Sequence, residues 1–146
     1  MSFPIQRPRR LRRTATIRRL VRETRLSPDN FIYPIFVSEV VNTPTSISSM
    51  PGIFSFPVKD AVAEARRAYS LGISAVILFG TPSIKDPSGS SSVKADGIIQ
   101  RGIREIKSAV PELLVVTDVC LCEYTDNGHC GVICEGTVQN DETHEI

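Results

Sequence analysis

Apolar residues in the middle of the chain alternate between helical spacing and unbroken runs, twice over. Val58, Ala61, Val62, Ala65, Ala68 and Tyr69 fall on one helical stripe, and Gly72 stands where such a helix would stop. Residues 73–79 are then apolar except for Ser74, as in a strand covered on both faces. Ile99, Ile103, Ile106 and Val110 return to helical spacing, Pro111 ends that segment, and residues 113–122 predict the next strand. Upstream, residues 31–37 read as a buried strand, although Pro34 weakens its pairing at that point. Strand, helix, strand, helix, strand at these spacings predicts parallel pairing through right-handed crossovers, an α/β fold.

The remaining segments punctuate this core. Ile17, Leu20, Val21 and Thr24 predict a short amphipathic helix over residues 16–26, and Ser27-Pro28-Asp29-Asn30 breaks it. Residues 42–52 are polar and interrupted by Pro44, Pro51 and Gly52, hence a loop. Residues 80–97 are rich in Ser, Pro and Gly, hence a mobile one. Asn140-Asp141-Glu142 reads as a helix start, with acids facing the positive end of the helix dipole. Three strands under two complete helices leave a sheet edge and a face open, whereas a closed barrel of βα units takes about 250 residues. The sequence is therefore expected to be the N-terminal portion of something larger.

At 146 residues and 41% hydrophobic content the chain can bury a core. It has no apolar run long enough to span a membrane and no secretory signal pattern at its start. The formal net charge of +1 conceals an asymmetry. Residues 1–26 hold nine arginines and one acid, Glu23, a net of +8, while the other 120 residues carry a net of −7. Such an arm suits nucleic acid, a membrane surface, an organelle-targeting peptide or an acidic neighbouring subunit. No aromatics interleave the arginines, so base stacking is unsupported and the subunit arm is the favoured expectation.

Three of the four cysteines and one of the two histidines crowd into residues 118–131. On a strand, Asp118, Cys120 and Cys122 would share a face, and Asp126-Asn127-Gly128 can swing Cys130 back towards them. Three thiolates meeting there suit a soft tetrahedral metal, zinc first, with one position left open. Cys134 or His129 could close the site, though a lone Cys134 also reads as a small buried hydrophobe. A redox pair is disfavoured because Cys120 and Cys122 lack the two-residue spacing of that motif. Clustering near one end argues for a metal site in a reducing compartment rather than a disulfide framework, so the cytoplasm is expected.

The segment Asp118-Val119-Cys120-Leu121-Cys122-Glu123-Tyr124-Thr125, followed by Gly128-His129-Cys130-Gly131, closely resembles the zinc signature of the porphobilinogen synthase (5-aminolevulinic acid dehydratase) family. Arg9-Arg10-Leu11-Arg12, Tyr33-Pro34-Ile35-Phe36-Val37, Ser49-Met50-Pro51-Gly52, Leu78-Phe79-Gly80, Lys85-Asp86 with Gly89, and Asn140-Asp141-Glu142-Thr143 follow in the family's order. The resemblance implies the N-terminal part of a TIM (β/α)8 barrel: an arm over residues 1–28, then the first three β/α units over 29–146, cut at the start of the third helix. It also implies zinc on Cys120, Cys122 and Cys130, Asp118 lining the active site, and a homo-octamer assembled through the arm. The implied reaction condenses two 5-aminolevulinates to porphobilinogen in haem synthesis. The family's two Schiff-base lysines match none of Lys59, Lys85, Lys94 and Lys107, so the isolated chain is expected to be inactive. Asn127 stands where the family usually has His, and Val40 where Gly is common. The contrasting expectation, from another class, is a small zinc-binding interaction module with a basic nucleic-acid-binding arm.

Overall fold

The computed structural model describes Ile5 and residues 7–146. In chain order its elements are α1 (Ala15–Leu20), β1 (Ile32–Ser38), β2 (Thr45–Ser46), β3 (Phe54–Phe56), α2 (Val58–Ser70), β4 (Ala75–Thr81), α3 (Ile98–Ala109), β5 (Leu114–Thr117), β6 (Ile133–Cys134), β7 (Thr137–Val138) and α4 (Asn140–His144). The three expected strands lie side by side and parallel, Ile32 opposite Ala75 and Ala75 opposite Leu114. Two short strands extend the sheet beyond them, giving the order β2-β3-β1-β4-β5. Both escape a reading of the sequence: β3 has only three residues, and β2 falls within the stretch expected to be loop. β3 reaches only Phe36 and Val37, so at Pro34 the strand β1 has a neighbour on the β4 side alone, and a missing N–H is tolerated.

Alternation along the strands decides which face is packed. Ile35 and Val37 of β1 and Val76 and Leu78 of β4 are buried against Ala61 and Ala65 of α2 and Ile98 and Ile106 of α3. The opposite face carries the stacked pair Phe36 and Phe79, with ring centroids 5.3 Å apart, and both remain half-buried. Coverage of both faces, expected from the apolar run, is thus found for one face among the described residues. Helix α2 packs through a narrow seam of Ala61, Ala65 and Ala68, while Tyr69, at the edge of the predicted stripe, is 43% exposed. Gly80, near the end of β4, lets α3 start close over the strand, since a Cβ there would come within 2.6 Å of Ile99 Cγ1.

Four segments differ from expectation. Strand β4 runs from Ala75 rather than from 73, because Ile73 still closes the turn after α2, its N–H donating to the Ala68 carbonyl. Helix α1 stops at Leu20 instead of 26. The Thr14 hydroxyl caps its start by accepting from the Ile17 N–H, but no residue of α1 is buried to sustain further turns. The 80–97 segment is no featureless loop, since it holds a 3-10 turn at Ser90–Val93 and a dense set of hydrogen bonds. Strand β5 ends at Thr117, five residues short of the expected limit, which bears directly on the cysteines.

Candidate metal centre

β4 pairs with β5 only as far as Leu78 opposite Thr117, and past that point the chain loses its ladder. Asp118, Cys120 and Cys122 therefore do not line one face of a strand, as the spacing alone suggests. The chain instead curls into a turn in which the N–H groups of Tyr124 and Thr125 both donate to the Leu121 carbonyl at 2.9 Å. This curl brings Cys120 Sγ within 3.1 Å of Cys122 Sγ. The expected reversal then works as its residue types dictate. Asn127 Oδ1 accepts from the His129 N–H at 2.8 Å, Gly128 takes a φ of 71°, and the Thr125 hydroxyl donates to the His129 carbonyl at 2.7 Å. Cys130 returns with its Sγ 3.0 Å from that of Cys120.

All four cysteines are free, and sulfurs at these separations are too far apart for a disulfide. Cys120, Cys122 and Cys130 form a cluster whose ligand atoms lie within 4.8 Å of one another, and Asp118, Cys120 and Glu123 form a second, overlapping one. Neither Cys134 nor His129 belongs to either cluster. Cys134 sits exposed on β6 rather than buried as a small hydrophobe, because the β6–β7 hairpin is too short to cover it.

Hydrogen bonding divides the thiols by acidity. The bond from Cys130 lowers the Cys120 pKa, so Cys120 is the sulfur best able to carry the charge. Its bond to Cys120, then burial, pushes the Cys122 thiol up to about 12, and the same partner raises Cys130. Beside them the Glu123 carboxyl is held above the usual carboxylate range, first by burial and then by the charge of Asp118, with Lys85 acting in the opposite sense. Asp118 itself is exposed. An all-sulfur donor set fits zinc, and thiolates sharing a tetrahedral zinc with bonds of about 2.3 Å stand about 3.8 Å apart. The triad is slightly tighter than that and needs only to open, so the residues present fit the ion.

Chain beyond the triad also helps to hold it. Gly131 is buried where a Cβ would come within 2.7 Å of Thr143 Oγ1. That hydroxyl accepts from the Val132 N–H at 3.0 Å and donates to the Gln139 carbonyl at 2.6 Å, tying the cysteine segment to α4. Asp86 and Thr125, which approach this segment from the 80–97 loop and from within it, were not singled out as site residues by the sequence. The Asp86-Pro87-Ser88-Gly89-Ser90 run was the available signal, because an Asp followed by serines at two and four positions favours a side-chain-closed turn.

A parallel α/β sheet with its polar cluster just past the C-terminal end of a strand has the layout of the barrel enzymes. The family model for δ-aminolevulinic acid dehydratase matches residues 5–146, and the chain belongs to that family. It is 47% identical to the δ-aminolevulinic acid dehydratase of Methanothermobacter thermautotrophicus, covering 100% of this chain and 45% of that protein. With the Escherichia coli dehydratase it shares 43% identity over 99% of this chain and 45% of the relative. A crystal structure of the Toxoplasma gondii enzyme, solved in complex with its reaction product porphobilinogen, matches with a TM-score of 0.90 at 38% identity. That match covers 99% of this chain and 42% of the other. The chain thus spans under half the length of these relatives, and its sheet corresponds to part of their barrel.

Proposed function

We propose that this chain provides the metal-holding part of a porphobilinogen synthase active site, where two 5-aminolevulinate molecules condense to porphobilinogen in tetrapyrrole synthesis. The observation that carries the reading is the meeting of three thiol sulfurs, at 3.0 and 3.1 Å, just beyond the C-terminal end of β5. Cys120, Cys122 and Cys130 would hold zinc, which when bound supplies a Lewis acid towards a substrate carbonyl. Asp118 is exposed beside the triad, next to Glu123, and its carboxylate would orient a substrate amine. Lys59, Lys85, Lys94 and Lys107 are all exposed, and none has the apolar surroundings that turn a lysine into an imine-forming nucleophile. The 146 residues are therefore expected to give no porphobilinogen by themselves.

The basic arm fits contact with a further copy of the chain in a homo-oligomer rather than nucleic acid, since its arginines carry no interleaved aromatics. No helix among the described residues is long and apolar enough to cross a membrane. Free thiols are in keeping with work in the reducing cytoplasm. X-ray absorption on the zinc-loaded protein tests the assignment: about three sulfurs at about 2.3 Å and one lighter atom are expected. Four sulfurs, with metal lost on Cys134→Ser, would instead show a closed structural site.

A further inference from the structure

Asp86 lies outside the thiol triad, on the loop between β4 and α3, and its carboxylate is used entirely by that loop. Oδ1 accepts from the Ser88 N–H at 3.0 Å, the Ser88 hydroxyl at 2.8 Å and the Ser90 N–H at 3.1 Å. Oδ2 accepts from the Ser90 hydroxyl. These bonds fold residues 86–90 into a tight turn in which Gly89 is buried with a φ of 63°.

The turn leans on the cysteine segment. The Asp86 N–H donates to the Tyr124 carbonyl and the Asp126 N–H donates to the Asp86 carbonyl, each at 3.3 Å, forming a single parallel bridge between Asp86 and Thr125. A Cβ on Gly89 would already touch Leu121 and Tyr124 at 3.4 Å, so the glycine backbone is packed on the residues that follow Cys120 and Cys122. Thr125, 1% exposed, relays the contact through its hydroxyl to the His129 carbonyl, next to Cys130. The segment that bears all three cysteines is therefore braced here on the side of Cys120 and Cys122, while the tie of Val132 to Thr143 holds it beyond Cys130.

We propose that Asp86 is a positioning residue for the three-thiol site: its carboxylate shapes the 86–90 turn that braces the segment bearing Cys120, Cys122 and Cys130. The inference rests on the metal-binding reading above. An unbraced segment would have to lose more conformational freedom on gathering three ligands, so the loss of the brace appears as weaker binding.

The test is competition for zinc between a chromophoric chelator and the 146-residue chain, unsubstituted or carrying Asp86→Ala, Asp86→Asn or Ser90→Ala. Cobalt(II) spectra of the same set report ligand geometry, and far-UV circular dichroism reports folding. Asp86→Ala should weaken zinc binding by about 10–100-fold, the range for groups that orient metal ligands, and diminish the tetrahedral cobalt bands. Asp86→Asn keeps an oxygen that can accept the three Oδ1 bonds, so it should stay within a few-fold of the parent. Ser90→Ala removes one hydroxyl and should show a smaller loss in the same direction, which serves if Asp86→Ala does not fold. Unchanged zinc binding in both alanine variants overturns the proposal, as does a loss in Asp86→Asn equal to that in Asp86→Ala. Failure of the unsubstituted chain to bind zinc or cobalt overturns the metal-binding reading itself.

Discussion

Gly131 is the position where one added methyl should do most to the site. Its Cβ would lie 2.7 Å from Thr143 Oγ1 and 2.9 Å from Val138 Cγ1, and the first of these atoms is fixed by two hydrogen bonds. Gly131→Ala must therefore displace α4 or the backbone next to Cys130. We expect about 1–3 kcal/mol of destabilisation, the usual cost of overpacking, together with weaker zinc retention. Urea unfolding and chelator competition would measure the two effects, and an unperturbed variant in both would sink the account. The cysteine spacing made Cys120, Cys122 and Cys130 legible as a candidate ligand set, and Asp126-Asn127-Gly128 made the return of Cys130 legible too. Nothing local revealed the role of Thr143, because the Val132 N–H that it accepts lies on the far side of the β6–β7 hairpin.

At the scale of elements, the C-terminal ends of β1 and β4 and the start of α3 are tied through one carboxylate. Glu39 Oε2 accepts from the N–H and hydroxyl of Ser83 at 2.9 and 3.0 Å, and Oε1 pairs with Arg101 on α3. The Ser83 N–H, followed by its hydroxyl and the Arg101 charge, holds the Glu39 carboxyl below its ordinary range against the opposing effect of burial. Because folding lowers this pKa, the tie stabilises the fold above the titration range of the unfolded carboxyl and is lost as pH falls through the folded value. Glu39→Gln should thus lower the urea midpoint at neutral pH, and the gap to the parent should close in acid. A gap that stays constant with pH would show that the charge of Glu39 contributes nothing. The ion pair with Arg101 is partly exposed, so the whole effect should be modest, about 1 kcal/mol or less.

For the molecule as a whole, the sheet ends at β5 among the described residues, and apolar groups flank that edge: Leu114 is 60% exposed and Val119 96%. An unpaired strand with exposed apolar side chains invites pairing with another chain. The 146-residue chain should therefore self-associate as its concentration rises, and Leu114→Lys should reduce this without touching the buried Leu113. Sedimentation velocity over a concentration series checks it; association unaffected by the lysine would place the contact elsewhere. The sequence by itself determined the α/β class, the order of the three parallel strands and two covering helices, and the identity of the three clustered thiols. Those features follow from side-chain period and residue chemistry, which are local properties. Tertiary structure decided the rest. Strand β5 leaves the sheet at Thr117 although β4 runs on to Thr81, so the cysteines meet through a curl closed on the Leu121 carbonyl rather than along a strand face. The short β2 and β3 exist because β1 presents an edge for β3 to pair with, and β3 in turn one for β2. Asp86 reaches the thiol segment because two loops distant in sequence leave the same end of a parallel sheet, an adjacency that pairing between strands creates and no local pattern encodes.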